Sequence, residues 1–515
     1  MLNAMSLTAF PRRARAVRVL FVASECAPYA KCGGLADVAA SLPKALRRLG
    51  IDARVVLPLY RGIDRGRFGL HPGGSLDVEV GTGEHLGCAV WDAVADGGVP
   101  VSFIERNDFF DRAGIYNDPG GEGYADEAWR YGYLCLAALR LCEARNWHPD
   151  VAHAHDWPTA ILASILAARR LSGGAFSDVR TVLTIHNEAY QGYSPADVLP
   201  FLGIPPALYT PAALESYGQA NFLKGGIVLA DAVTTVSPTY AREILSEPGG
   251  CGLSQFLAAK EPGRFLGILN GADYDLWNPR MDPAIAVPYD LPSPADGKAA
   301  CKAALQRELG LADAPDTPLY GMVCRLAAQK GISLLLDILE PLLAEMRLQL
   351  AILGSGDAAD EAVLRAAADR HPGVLAVRIG YSNNLSHRIQ AGSDFFLMPS
   401  LFEPCGLAQL YALRYGTLPI VHATGGLEDT VEQYNEGTGG GTGFKFYHAS
   451  PRALHDVIGW ANSTYFDRPR HLAAMRRRAM GKRFDWSTSA KRYAALYDEL
   501  IAAPTPRPPV PSVQA

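Results

Sequence analysis

The sequence predicts an α/β protein of two doubly wound domains, each a mostly parallel sheet with helices on both faces. Three observations carry that reading. The chain is 515 residues long, beyond the ~250–300 residues at which a single hydrophobic core stops growing. Hydrophobic residues make up 49% and charged residues 20%, the balance of a folded globular chain rather than a disordered one. Short β-branched runs alternate with helical spacing almost from end to end, the pattern of strand–helix–strand crossovers.

In chain order, 17–23 reads as the first strand and 35–49 as a helix with apolar residues at helical spacing. The further strands of the first half are 53–57, 101–105, 151–155, 182–186, 232–236 and 266–269. Ser237-Pro238 marks a helix start, Ser as the cap and Pro at the first helical position. Five prolines between Asn278 and Lys298 interrupt the pattern and read as a connecting segment. A second series follows at 319–324, 348–353, 376–379, 395–398 and 419–421. The resulting division is an N-terminal extension over 1–16, a first domain over 17–270, a linker over 271–298, a second domain over 299–486, a last helix over 487–503 packing across domains, and a Pro-rich tail over 504–515. Both chain ends are expected to be disordered.

Composition excludes several partners. The 48 Lys+Arg against 53 Asp+Glu leave a net charge of -5, which argues against a chain that binds by neutralising nucleic-acid phosphates. No apolar run reaches the ~20 residues that span a bilayer. Arg12, Arg13 and Arg15 are not accompanied by an apolar stretch of leader length. The nine cysteines contain no Cys-x-x-Cys pair, which reads as reduced thiols in a cytoplasmic enzyme rather than a disulfide framework.

In open α/β sheets ligands sit outside the carboxyl ends of the strands, and two facing domains put a cleft between those ends. Three loops stand there. After the first strand, Lys31-Cys32-Gly33-Gly34 sets a mobile cation beside glycines whose N–H groups favour anions at a helix start; a tight turn with a solvated lysine is the plainer alternative. After 319–324, Arg325 and Lys330 sit five residues apart, a spacing able to bring two cations to one diphosphate, Arg as a fork and Lys as a point charge; an ordinary surface charge is the alternative for either one alone. After 395–398, Glu403 is wedged between Phe402 and Pro404, with Gly406 and Leu407 opening a helix toward a phosphate; a carboxylate complementing the helix dipole is the alternative.

His153-Ala154-His155-Asp156 and His186-Asn187-Glu188 also follow strands. Their spacing offers no full tetrahedral ligand set, so contacts to sugar hydroxyls are favoured over a metal, with a structural role open for His153. Two motifs are set aside. Gly354-Ser355-Gly356 lacks the third glycine of a dinucleotide fingerprint, and Asp273-Tyr274-Asp275 follows Asn270-Gly271 and reads as a turn.

Together these stretches resemble the bacterial glycogen synthase and plant starch synthase family, retaining GT-B glucosyltransferases. The resemblance is carried by Lys31-Cys32-Gly33-Gly34-Leu35-Ala36-Asp37-Val38, His153-Ala154-His155-Asp156-Trp157, His186-Asn187 with Tyr190-Gln191-Gly192, Val236-Ser237-Pro238-Thr239-Tyr240-Ala241, and Leu269-Asn270-Gly271 with Trp277-Asn278-Pro279. In the second half it is carried by Arg325-Leu326 with Gln329-Lys330-Gly331, and by Glu403-Pro404-Cys405-Gly406-Leu407. They run in the family's order and span about 17–500. Two residues depart from the family pattern: Cys32 stands where Thr or Val is usual, and Cys324 where Ser is usual. Neither change removes a charge or a glycine.

The resemblance implies two Rossmann-like domains facing across a deep cleft, ADP-glucose as donor, glycogen or another α-1,4-glucan as acceptor, and no cofactor or metal. It implies that Lys31, Gly33 and Gly34 contact the donor phosphates with Asp37 supporting their loop, and that Arg325 and Lys330 clamp the diphosphate. Cys405, Gly406 and Leu407 would meet the glucose and the distal phosphate, and Glu403 would lie by the donor sugar. Asp156, His186 and Asn270 fall on the sugar side, and Tyr381 stacks on the adenine. The alternatives are a GT-B transferase using UDP-glucose, a non-catalytic glucan-binding protein on the same fold, and a pyridoxal-phosphate phosphorylase, for which no lysine motif is found.

Overall fold

The computed structural model describes residues 15–118 and 120–504. The expected disorder of the N-terminal extension falls mostly on 1–14 and that of the tail on 505–515, outside the described residues.

The first sheet has nine strands: β1 (Arg18–Val22), β2 (Asp52–Pro58), β3 (His71–Glu79), β4 (His85–Ala95), β5 (Val99–Glu105), β6 (Val151–His155), β7 (Arg180–Ile185) and, after a small sheet of β8 (Tyr193–Ser194), β9 (Glu215–Ser216) and β10 (Gln219–Asn221), β11 (Ala232–Thr235) and β12 (Phe265–Gly267). Their order is β12-β11-β7-β6-β1-β2-β5-β4-β3. The central strands β6 and β7 are buried at every position, as a sheet covered on both faces requires. The sheet is mostly parallel, as expected, with an antiparallel edge at which β3 and β4 form a hairpin and β4 pairs β5 antiparallel. Ser237 caps the helix Pro238–Glu243 by accepting the Tyr240 N–H.

The second sheet comprises β13 (Leu319–Val323), β14 (Gln349–Gly354), β15 (Leu375–Ile379), β16 (Phe395–Met398), β17 (Leu418–His422) and β18 (Phe444–Phe446). It is parallel, in the order β15-β14-β13-β16-β17-β18. Alternate residues of one strand feed opposite cores: Phe395, Leu397, Leu350 and Ile352 pack on one face, Phe396, Met398, Ala351 and Leu353 on the other. That is the period-2 consequence of the pleat.

The segment over 271–298 is packed rather than loose. Trp277 lies parallel between His387 and Tyr411, with ring centroids 3.7 and 3.9 Å away. Asp282 is 2.7 Å from His387 Nδ1 and accepts the Tyr415 hydroxyl. The helix Pro294–Leu309 begins inside the stretch.

By backbone proximity the chain divides into two units. The first holds the residues up to Leu183, Tyr190–Ala232 and the chain from Ala490; the second holds Thr184–Ala189 and Val233–Ser489.

Candidate functional site

In the second unit the loop after β13 runs through Arg325 and a short turn at Ala328–Lys330 into the helix Ile332–Glu345. Gly331 closes that turn at φ +66, and a Cβ there would sit 2.0 Å from the Pro399 carbonyl oxygen. Only glycine allows so close a passage at this backbone angle. The passage sets Lys330 against the loop after β16, with its Nζ 2.6 Å from Glu403 Oε2. The Ser400 hydroxyl donates to the same oxygen at 3.0 Å. Glu403 is buried, and the pair is therefore a desolvated, charge-assisted contact rather than a solvated surface bridge. Gln329 ties the loops together: its carbonyl accepts the Leu401 N–H, and its Oε1 accepts from the Arg325 guanidinium at 3.3 Å. Arg325 itself is exposed.

Gly354 and Gly356, at the end of β14, prove to be packing glycines. A Cβ on either would lie 2.1 Å from the Cys324 carbonyl oxygen or 1.9 Å from that of Leu326, so they let the Arg325 loop cross. At the end of β15, Gly380 adopts φ +124 and Tyr381 stands 76% exposed. Beyond β16, burial pushes the Cys405 thiol up to about 12, its sulfur lying against the Asn270 backbone. Gly406 has φ +72, and the helix Ala408–Arg414 starts after Leu407. Asn270 is buried, and its Oδ1 has no hydrogen-bond partner, an acceptor available to a hydroxyl. His186, just past β7, is pushed down to about 3 by desolvation, so its imidazole is neutral near pH 7.

In the first unit, Lys31 is exposed and its ammonium donates to Asp37 Oδ1 at 2.7 Å. The loop's own N–H groups are differently employed than the sequence implied. Those of Cys32 and Gly33 both donate to Glu25 Oε2, the latter at 2.9 Å, while Glu25 Oε1 accepts the Tyr116 hydroxyl at 2.6 Å. A buried carboxylate thus already occupies part of this anion-seeking turn. Gly34 opens the helix Gly34–Arg48. Asp156 opens the helix Asp156–Ser172 at φ +54, an uncommon angle for a residue other than glycine and one that clusters at functional sites. His153 takes the structural part: its Nδ1 lies 2.7 Å from the Tyr497 hydroxyl of the last helix.

The second unit thus brings Arg325, Lys330 and Glu403 together through Gln329 and Ser400, and Cys405 onto Asn270. Lys31, Gly33, Gly34, Asp37 and Asp156 belong to the first unit, and His186, Tyr381, Gly406 and Leu407 to the second. Sequence reasoning passed over Ser400, Glu25 and Thr424-Gly425-Gly426-Leu427. The last follows β17, and its Gly426 N–H donates to the Glu403 carbonyl at 3.1 Å. Its signal was legible, for Thr424-Gly425-Gly426-Leu427-Glu428-Asp429 echoes Cys32-Gly33-Gly34-Leu35-Ala36-Asp37.

Among the described residues no group of three or more His, Cys, Asp or Glu side chains is disposed to hold a metal. Asp273 Oδ1 accepts the Asp275 N–H at 2.9 Å, a turn. No described helix is long and apolar enough to cross a membrane. A cavity of about 800 Å³ lies elsewhere, lined by Ser75, Asp77, Cys88, Glu105 and Asp108 among others, and no residue singled out above lines it.

Residues 18–259 match the family model of the starch synthase catalytic domain, and 310–475 that of glycosyl transferases group 1. The chain is 43% identical over 489 residues to glycogen synthase 1 of Geobacter metallireducens, covering 94% of this chain and 96% of that protein. It is 46% identical over 491 residues to the glycogen synthase of Anaeromyxobacter sp. (strain Fw109-5), covering 94% and 100%. Among solved structures, the catalytic domain of starch synthase IV from Arabidopsis thaliana, bound to ADP and acarbose, aligns with a TM-score of 0.87 at 32% identity, covering 95% of this chain and all of that one.

Proposed function

This chain belongs to the glycogen and starch synthase family of GT-B glucosyltransferases, and from that premise we propose that it transfers glucose from ADP-glucose to the non-reducing 4-OH of an α-1,4-glucan with retention at the anomeric carbon. The observation that carries the reading is the cluster of Arg325, Lys330 and Glu403 at the carboxyl ends of β13 and β16. Breaking the glucose–phosphate bond leaves negative charge on ADP and positive character on the sugar ring. Fixed cations where the phosphate charge grows lower that barrier, and a carboxylate beside the ring complements the other half of the charge separation.

In this reading Lys330 serves both charges: it neutralises Glu403 before the donor arrives and turns to the diphosphate as the donor binds. Arg325 supplies the second cation. Lys31, with Gly34, adds contacts to the phosphates, Asp37 holding the lysine while the Gly33 N–H stays on Glu25. Cys405, Gly406 and Leu407 meet the glucose and the distal phosphate. Asn270, Asp156 and the neutral His186 accept or donate to sugar hydroxyls, and Tyr381 stacks on the adenine. Retention follows a front-face route in which the departing phosphate takes the acceptor proton; Glu403 stabilises the ring and is not alkylated. No cofactor is invoked, and the setting proposed is a bacterial cytoplasm.

The test is turnover with glycogen as acceptor, comparing ADP-glucose with UDP-glucose. ADP-glucose is expected to be the better donor, and R325A and K330A each to lose about 10²–10³ in kcat, as on deleting one charge-stabilising group. Preference for UDP-glucose overturns the donor assignment, and variants within a few-fold of the parent overturn the clamp.

A further inference from the structure

We propose that Ser400 is the positioning residue of Glu403, the group that keeps one carboxylate oxygen turned to the donor sugar after Lys330 has left for the phosphates. The proposal rests on the transferase reading above and adds a residue to it. Ser400 lies just beyond β16 and is 1% exposed. Its hydroxyl donates to Glu403 Oε2 at 3.0 Å, and the Lys330 ammonium donates to that same oxygen at 2.6 Å. Among the described residues Glu403 Oε1 takes no hydrogen bond. The carboxylate is therefore gripped by one oxygen and presents the other.

The grip is held from behind. The Ser400 carbonyl accepts the His422 Nδ1–H at 2.8 Å, His422 being the last residue of β17. Leu401, the next residue, donates its N–H to the Gln329 carbonyl at 2.9 Å. The serine is thus fixed to the loops on either side of it and has a single proton to give.

The division of labour follows from charge. A diphosphate outcompetes one carboxylate for a nearby ammonium, so donor binding weakens the Lys330–Glu403 contact at the moment Glu403 is needed. A carboxylate's terminal torsion is broad and roughly two-fold, and without a second donor it loses its orientation. The Ser400 hydroxyl carries no charge for phosphate to attract, so it stays. Misplacement of a reacting or stabilising group by about 1 Å costs on the order of 10²-fold in rate.

The experiment compares wild type, S400A, S400T, E403Q and the double variant S400A/E403Q in glucose transfer from ADP-glucose to glycogen, with a thermal melt of each. S400A is expected to lose about 10–100-fold in kcat while KM for ADP-glucose moves less than about threefold, the signature of an interaction made in the transition state. S400T, which keeps the hydroxyl, is expected to recover most of that loss. S400A/E403Q is expected to be no slower than E403Q alone within about threefold, because a residue acting only through Glu403 has nothing left to orient. S400A with unchanged kcat, or losses that multiply in the double variant, overturns the proposal. Should S400A melt early, the S400T comparison and the double-variant ratio decide in the same way. A wild-type protein inert toward both ADP-glucose and UDP-glucose overturns the transferase reading itself, whereas an active wild type beside an unaffected S400A removes Ser400 alone.

Discussion

Glu188 is fully buried two residues past His186, and neither of its carboxyl oxygens has a hydrogen-bond partner. Burial, with a smaller contribution from Glu247, pushes its pKa from 4.5 up to about 9, so the side chain is a neutral acid at pH 7. Between pH 4.5 and 9 the unfolded chain releases this proton and the folded chain keeps it. The folded state then binds more protons, and stability falls as pH rises through that window, by about 1.4 kcal/mol per pH unit for one proton. E188Q carries no such proton. Its stability advantage over wild type is expected to grow from pH 5 to pH 9 and to level off above, as read from urea midpoints across that range; curves that stay parallel refute the assignment. The sequence showed Glu188 in a polar strand-end motif, but no spacing rule announces burial, which depends on residues more than 50 positions away such as Tyr240, whose hydroxyl accepts the Glu188 N–H. Ser400 and Glu25 were missed for the same reason. By contrast Arg325, Lys330 and Glu403 were readable because each charge stands where a strand pattern ends and a helix pattern begins.

The predicted strands of both series recur in the structure within about two residues at each end, because a strand buried on both faces leaves a continuous apolar run. β3 and β4 escaped because their burial alternates and β3 opens on His71-Pro72-Gly73-Gly74, which reads as a turn rather than a strand. The loops between elements are fixed by glycines more tightly than composition could tell. Gly331 is the sharpest case, combining φ +66 with a carbonyl oxygen 2.0 Å from where a Cβ would stand. Backbone, not a flexible side chain, blocks the space, so relief requires the Lys330 turn and the Pro399 strand end to separate. G331A is expected to destabilise the second unit by about 2–4 kcal/mol and to lower kcat by displacing Lys330 from Glu403. A melting temperature and kcat both equal to wild type would show that the loops move apart at no cost.

At the scale of the whole chain, the two units are not consecutive stretches: the polypeptide passes between them after Leu183, Ala189, Ala232 and Ser489. The last helix, Trp486–Ala502, has an apolar stripe legible in the sequence, but a stripe states only that the helix docks, not on what. The structure gives its residues from Ala490 onward to the first unit, where Tyr493, Leu496, Tyr497 and Leu500 are buried, the Tyr497 hydroxyl meets His153, and the Ala503 carbonyl accepts from Arg180. Burying a large apolar side chain is worth roughly 1.5–3 kcal/mol, so these four contribute on the order of 6–12 kcal/mol, comparable with the ~5–15 kcal/mol that holds a whole domain folded. The first unit therefore depends on a segment that lies more than 200 residues further along the sequence. A fragment ending at residue 270 is expected to be insoluble or unfolded by circular dichroism, and the same fragment with 486–504 joined by a flexible linker is expected to fold. If the short fragment is soluble and melts cooperatively at the temperature of the extended one, the helix is an accessory to the first unit rather than part of its core.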